Sequence, residues 1–559
     1  MALTTALTTT ATLAYLNARL HLAKDLSHYY YQHRGARHQA RLKAQNRINI
    51  WRTFTENATA FANEECIWFS DPSTSPPTEM RFTWTQAYAR ACQWAAWLRK
   101  QGVKEGECVG LYLQNSPDFV LAWMGLLAVG CFPAMINYNL VGSALAHCVK
   151  VAECRLLLVD AEFFASRVEG NEELRTMGVR AAVLDAELRA EVQAMDTSPP
   201  DPRFTAHADE KTRLALRYTS GTTGKPKGVM ATTGRYYARL AAQFAQMGVR
   251  PLLPDTREKG RARNRREADR WYICIPMNHS TAGSAALICL LSPIPLCIGK
   301  RFSATRFWEE VRASRASIGT YVGEIARYLL ALPPSPLDRQ HQMRMMYGNG
   351  LRPEVWGRFQ KRFGVRQVCE FYGSTEGGLS HFVVQEGEYL RGIVGHDGWL
   401  RRWMLWDVVV PVQVDAETGE IVRDAETGFA KRVPYEVGGE LLFRLSSPAD
   451  FVGYYNNAPA TEAKLARSVF AKDEIWYRSG DSLRRSKDGK WTFLDRLGDT
   501  FRWKGENVST AEVGECLGRV QGVVDANVYG VEVPGHEGRA GCAALMLRDG
   551  AVGLDELLR

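Results

Sequence analysis

Residues 216–230 read LRYTSGTTGKPKGVM. Thr219, Ser220, Thr222 and Thr223 surround Gly221 and Gly224, and Lys225, Pro226 and Lys227 close the stretch. Glycines and short hydroxyls let backbone N–H groups approach an anion, and lysine adds charge. The chemistry on offer is the holding of phosphate oxygens, against the plainer reading of a Thr- and Gly-rich surface turn. It is not the nucleotidase P-loop, which needs four residues between its glycines and a helix beginning at its Lys-Ser/Thr pair. Here Gly221 and Gly224 are three apart, and Pro226 stops a helix from running through Lys225, so Lys227 is free to reach outward.

The elements around the loop must position it. LALR (214–217) reads as a short strand and GRYYARLAAQFAQ (234–246) as a helix, so a strand–loop–helix arrangement is expected. From Thr83 to about Val159 helices alternate with short apolar strands, as in an α/β domain. Ser116-Pro117-Asp118 starts a helix with a Ser cap, a first-turn Pro and an acid at the positive dipole end. Its body, FVLAWMGLLAV, is apolar on every side and is expected to be buried scaffold ending at Gly130. DAETG at 415–419 and again at 424–428 gives two Gly-ended turns around EIVR, which suggests a β-meander.

A chain of 559 residues is too long for one core, so two or more domains are expected. The 46% apolar and 23% charged content is ordinary for a soluble protein. The net charge of +9 suits an anionic ligand or membrane surface, and no nucleic-acid recognition module accompanies it. The 12 cysteines form no CxxC pair, and Cys131, Cys289 and Cys297 sit in apolar runs, so they read as reduced core residues of an intracellular protein. No segment has the length of a membrane span; Ser284–Ile298 is cut by Pro293 and Pro295 and reads as core. The opening MALTTALTTTATLAYLNARL lacks the early positive charge of a secretory signal. It reads either as a helix lying on a membrane or as a plain helical leader. The basic run 256–270 reads as a solvated loop or as a contact with anionic head groups.

TSGTTGKPKG resembles the phosphate-binding signature of the adenylate-forming superfamily: acyl-CoA synthetases, luciferases and peptide-synthetase adenylation domains. Other stretches follow in that family's order. YGNG (347–350) resembles the loop bordering adenine, FYGSTEGG (371–378) the stretch facing adenine and the α-phosphate, and YRSGD (477–481) the ribose-binding element. DRLGDTFRWKGENVST (495–510) resembles the hinge into a small C-terminal domain. GDTFRWKGENVST, GYYNN (453–457), GNGLRP (348–353), FSATRFWEEV (302–311) and NSPDFVLAWMGLLAVG (115–130) resemble the fatty acid transport protein and very-long-chain acyl-CoA synthetase branch. INYNLVGSALAHC (136–148) is most similar to fungal members. The resemblance runs from about Asn46 to Leu547.

The resemblance implies an ATP site made by Thr219, Ser220, Gly221, Thr222, Thr223, Gly224, Lys227, Gly348, Asn349, Gly350, Tyr372, Gly373, Ser374, Thr375, Asp481 and Arg496. The residue chemistry is compatible. Asp481 has two acceptor oxygens for the ribose hydroxyls, with Gly480 letting the sugar approach. Tyr372 offers a flat face to adenine, Thr375 a short donor to the α-phosphate, and Arg496 a fork for ribose or phosphate oxygens. Glu376 is the hard oxygen ligand that Mg2+ takes together with phosphate and water. Thr375, Glu376 and Lys227 are the implied catalytic residues. His279 borders the carboxylate and pantetheine sites or is a packing residue; Gly505, Glu506 and Asn507 line the implied pantetheine channel for CoA. The hinge falls at Gly498 or Asp499, because the family usually carries Asp or Lys where this chain has Gly498.

The implied reaction has two halves. A fatty acid carboxylate attacks the α-phosphate of ATP, giving acyl-adenylate and pyrophosphate; after the small domain rotates, the CoA thiol attacks the acyl-adenylate. The implied fold is a large α/β domain of layered sheets and helices with a small β-barrel part (46–497), after a leader (1–45) and before a partial α+β C-terminal domain (498–559). In that last part the apolar strand AALML (543–547) is expected to lack partners. The family places a lysine near the end of the small domain, whereas residues 505–559 contain none, so weak or absent adenylation is expected. Peripheral association with peroxisome, endoplasmic reticulum or lipid-body membranes fits the branch. The alternatives are adenylation of another carboxylic acid in secondary metabolism, and non-catalytic binding or transport of ATP and fatty acid.

Overall fold

The computed structural model describes residues 2–74, 76–219, 225–254, 267–377, 381–415, 418–497, 501–503, 506–520, 522–533 and 539–548. Two sheets with mainly parallel strands and one antiparallel sheet form the body. The largest runs His381–Gln385, Gln367–Tyr372, Met345–Asn349, Ile318–Val322, Trp271–Ile273, Leu296–Gly299, Glu65–Asp71, Thr78–Thr83, antiparallel only at its two edge strands. The second runs Arg180–Leu184, Leu156–Asp160, Cys108–Tyr112, Phe132–Met135, Arg213–Thr219, Lys227–Thr232, parallel up to its last strand. The third is antiparallel and is built on Gly439–Leu445, Ile475–Arg485 and Lys490–Arg496.

The helices between parallel strands read as the sequence suggests. Ser116 Oγ accepts from Phe119 N at 3.2 Å, and every residue of Pro117–Ala128 is buried. Each large apolar side chain there contributes about 1.5–3 kcal/mol by leaving water. Gly125 lets this helix touch Trp84–Lys100: a Cβ at 125 would lie 2.8 Å from Trp94 Cβ and 2.9 Å from Ala95 N. The Ser284–Ile298 run is buried as the helix Ser280–Leu291 and the strand Leu296–Gly299. Ten of the twelve cysteines are buried, and no disulfide joins the described residues. The two DAETG turns close through Gly419 N to Asp415 O and Gly428 N to Asp424 O, both 2.8 Å, with bridges at Val414–Ile421 and Arg423–Ala430.

The leader forms two helices, Ala2–Leu20 and Leu22–Ala44, broken at His21 with φ +51°. The second packs on the helices Thr233–Met247 and Trp399–Leu405. Gly398 cannot cap the latter with a side chain, and buried Asp25 does so from outside, accepting from Gly398 N at 2.8 Å and Arg401 N at 3.0 Å. At the other end, Val523–Glu532 pairs with Arg539–Leu547, so AALML has a strand partner after all, its register running from Ala543–Val528 to Leu547–Val523. An Arg327–Asp525 ion pair of 2.7 Å ties this hairpin to the helix Gly323–Ala331. The basic run falls mostly within 255–266, outside the described residues.

Candidate active site

Strands ending at Asn349 and Tyr372 in the largest sheet, and at Thr219 in the second, bring Asn349, Phe371 and Arg217 to one cavity. The carboxyl ends of parallel strands are where open α/β sheets receive ligands. The hydroxyl-rich loop leaves Thr219 and returns at Lys227, which pairs directly with Thr219. Ser220, Gly221, Thr222, Thr223 and Gly224 lie outside the described residues. The expected strand–loop–helix is corrected to a hairpin: Lys227–Thr232 is a strand, and the helix begins only at Thr233. The four residues Gly228–Ala231 are too few for a stable helix but bury well as a strand, with Met230 opposite Leu216. No helix N-terminus therefore follows Lys227 directly. Lys227 Nζ lies 5.1 Å from the centre of the Tyr454 ring, and Tyr454 donates to Glu376 Oε1 at 2.8 Å. Lys227 and Glu376 thus meet on one tyrosine.

Asp481 sits in the strand Ile475–Arg485 opposite Arg496, with Arg496 Nε 3.6 Å from its Oδ1. Tyr372 donates to Asp481 Oδ2 at 2.9 Å. Burial pushes the Asp481 carboxyl up, while Arg496, Tyr372 and Lys464 pull it back down. Lys464, which sequence reasoning missed, donates to Ser479 O at 3.3 Å beside this pair. Tyr372 itself packs among Val409, Leu441, Phe443 and Tyr477, which leaves little of its ring for a base. The aromatic that lines the adjoining cavity is Phe371, stacked on Tyr347 with ring centres 5.0 Å apart.

Glu370 was also missed. It is buried, accepts from Gly350 N at 2.6 Å and Leu351 N at 3.2 Å, and pairs with the Tyr321 hydroxyl. Desolvation pushes it up to about 8. It fixes the turn carrying Gly348, Asn349 and Gly350. Gly348 is required by packing as well, since a Cβ there would lie 2.1 Å from Tyr321 O. Asn349 Oδ1 is buried without a partner among the described residues and lines the cavity, an acceptor suited to an exocyclic amine.

Thr375 joins the two halves of the site. Arg235 Nη1 donates to its carbonyl at 2.9 Å, and its hydroxyl lies 3.1 Å from Ser280 Oγ, in the first turn of Ser280–Leu291. Ser374 Oγ donates to Gly377 O at 2.7 Å, and Gly373 lines the same cavity. This cavity holds about 330 Å³ and is walled by Val229, Ala231, Tyr236, Tyr347 and Phe371, but also by Arg217, Arg235, Gln243 and Ser284. His279 stands exposed at its wall, just before the helix Ser280–Leu291. Among the described residues no cluster of three His, Cys, Asp or Glu side chains could hold a metal. A single carboxylate such as Glu376 matches Mg2+ only where phosphates and water complete its shell. Gly498, Asp499 and Gly505 lie outside the described residues. Glu506 and Asn507 belong to the short strand Glu506–Val508, which is paired with Phe501–Trp503.

A family model described as AMP-binding enzyme matches residues 54–455. The chain is 44% identical over 547 residues to isopenicillin N epimerase component 1 of Hapsidospora chrysogena, covering 97% of this chain and 81% of that protein. It is 35% identical to the very long-chain fatty acid transport protein of Cochliobolus heterostrophus, covering 94% of this chain and 79% of the relative. It is 36% identical to the medium/long-chain-fatty-acid–CoA ligase FadD6 of Mycobacterium tuberculosis, covering 93% and 80%. The fold matches that of the anthranilate CoA ligase AuaEII, solved with anthranoyl-AMP, with a TM-score of 0.67 at 20% identity over 89% of this chain and 87% of that one. Matched over residues 54–455 and similar over nearly its whole length to these proteins, this chain belongs to the AMP-binding enzymes, among relatives of the fatty acid transport protein and acyl-CoA ligase branch.

Proposed function

We propose that this chain is an ATP-dependent acid–CoA ligase. A carboxylate attacks the α-phosphorus of ATP, the bond to the β-phosphate oxygen breaks, and pyrophosphate leaves; the CoA thiol then attacks the acyl-adenylate and displaces AMP. The observation that carries this reading is Thr375, held by Arg235 on one side and Ser280 on the other, where the nucleotide residues border the acyl cavity. Asp481 takes the ribose hydroxyls, Thr375 donates toward the α-phosphate, and Lys227 neutralises charge on the departing pyrophosphate. Mg2+ bound through Glu376 and phosphate oxygens would supply further charge neutralisation. The test is acid-dependent ATP–pyrophosphate exchange, with acyl-CoA detected by mass spectrometry after CoA is added. Failure of every acid in a panel of fatty, dicarboxylic and aromatic acids would sink the reading.

Two readings of the acid have support. Relatives named for very-long-chain fatty acid transport and for medium- and long-chain fatty acid ligation favour a fatty acid. The 44% identical relative, named for isopenicillin N epimerisation, favours a non-fatty acid of secondary metabolism. The polar wall of the cavity, with Arg217, Gln243 and Ser284, favours the second reading.

Among the described residues no helix is long and apolar enough to cross a membrane. Peripheral contact is proposed instead through Trp399, Trp403, Met404 and Trp406, all exposed on or just after the helix Trp399–Leu405. Tryptophans at this density suit the bilayer interface.

A further inference from the structure

We infer that the acid activated here carries a second carboxylate, and that Arg217 receives it in the cavity wall beyond Thr375. The inference rests on the acid–CoA ligase reading and names the substrate class of that same site.

Arg217 lies in the strand Arg213–Thr219 and is 3% exposed, yet it lines the cavity. Its Nη1 donates to Ser284 Oγ at 3.0 Å and to the Tyr236 hydroxyl, and those two hydroxyls lie 3.0 Å from each other. Nε and Nη2 are buried and have no partner among the described residues. Guanidinium keeps its proton, so it cannot escape burial by becoming neutral, and a buried charge needs an opposite one. Among the described residues lining this cavity there is no aspartate or glutamate, and Arg235, also in its wall, is already committed to Thr375 and Ser374 carbonyls.

The identity of the free atoms narrows the ligand. Nε and Nη2 form one edge of the guanidinium, where two N–H bonds point the same way. That edge matches the two oxygens of a carboxylate in a bidentate pair. Gly283 packs closely against this edge: a Cβ there would lie 3.3 Å from Nη2 and 2.5 Å from Met277 O. An alkyl chain in this position would cover the edge without pairing it.

The distance to the reacting end is set by one helix. Ser280, which meets Thr375, and Ser284, which holds Arg217, are four residues apart in Ser280–Leu291. Four residues of α-helix advance about 6 Å. The two carboxylates of the acid are therefore separated by a short spacer, as in a small dicarboxylic acid or an amino-acid-derived diacid.

The experiment compares α,ω-dicarboxylic acids with monocarboxylic and ω-hydroxy acids of equal carbon number, by kcat/KM in ATP–pyrophosphate exchange. Wild type is expected to prefer the diacids at one chain length. Arg217→Met should lower their kcat/KM by roughly 100-fold and raise that of the matched monocarboxylic acid. Calorimetric binding of AMP checks that the variant is folded. Should it fail to fold, Ser284→Ala is the second variant, expected to weaken diacids selectively by freeing the guanidinium. A wild type that prefers monocarboxylic or hydroxy acids at every length overturns the inference while leaving the ligase reading intact. So does an Arg217→Met or Ser284→Ala enzyme with unchanged preference. Absence of exchange with every acid overturns the ligase reading itself.

Discussion

Tyr372 donates its hydroxyl to Asp481 across 2.9 Å and so ties the end of a strand in the largest sheet to the antiparallel sheet beside it. The two residues are far apart in sequence, and the bond fixes the Asp481 carboxylate proposed above to take the ribose hydroxyls. Tyr372→Phe removes one donor from a buried carboxylate, a loss of about 1–3 kcal/mol. The expected result is a KM for ATP raised about tenfold or more, with the KM for the acid unchanged. Burial already raises the Asp481 carboxyl, and the Tyr372 hydroxyl opposes that shift. Removing it moves the acid limb of the rate profile to higher pH. An unchanged ATP KM and pH profile would refute the role.

Glu370 titrates near neutrality. Its carboxyl is pushed up to about 8 by burial, from an ordinary value of 4.5. Between those values the folded chain holds a proton that the unfolded chain has released, so stability falls as pH rises through this window. Below the window both states are protonated and the dependence vanishes. Glu370→Gln, neutral at every pH, should flatten the curve of denaturant midpoint against pH between about 5 and 8. An identical slope in wild type and variant would remove Glu370 from this account.

The legible parts of the fold were those written locally. Ser116, Pro117 and Asp118 announce a helix by their own chemistry, and the unbroken apolar run behind them could only be buried. The strand that follows the Gly- and Thr-rich stretch was not legible. GVMA is four residues long, and its pairing with 215–218 depends on a turn the periodicity does not reveal. Glu370 looks like any acid at a strand end, because its partners Gly350 and Tyr321 reach it only through the parallel register of three strands. Arg217 was unreadable for the same reason: a charged residue at the end of LALR looks solvent-facing until the helix Ser280–Leu291 covers it. Tyr372 was legible as an aromatic at a strand end, but not that its ring is packed and its hydroxyl bonds Asp481.

In the proposed reaction Lys227 meets the charge of the leaving pyrophosphate, and Glu376 would hold Mg2+. Lys227→Ala should lower the exchange rate by about 100-fold, since a preorganised charge at the leaving group is lost. Glu376→Gln should raise the Mg2+ concentration needed for half-maximal exchange, because one hard oxygen ligand becomes a weaker one. Tyr454→Phe, which frees Glu376 from its 2.8 Å bond, tests whether that contact orients the carboxylate. A Mg2+ titration that is the same in wild type, Glu376→Gln and Tyr454→Phe would exclude the metal role.

The tryptophan face can be separated from the chemistry. Trp399, Trp403 and Trp406 expose about half or more of their surface, at 49%, 63% and 57%, along a helix whose buried side is capped by Asp25. A ring this size leaves water at a gain proportional to the area covered, so three together should hold the protein on a bilayer. Arg402 lies on the same helix and suits anionic head groups. In sedimentation with vesicles containing anionic lipid, wild type should partition to the pellet. Trp403→Ser combined with Trp406→Ser should stay in the supernatant while exchange activity with a soluble acid is unchanged, because neither residue lines the cavity. Equal partitioning of wild type and double variant would show that this face does not meet the membrane.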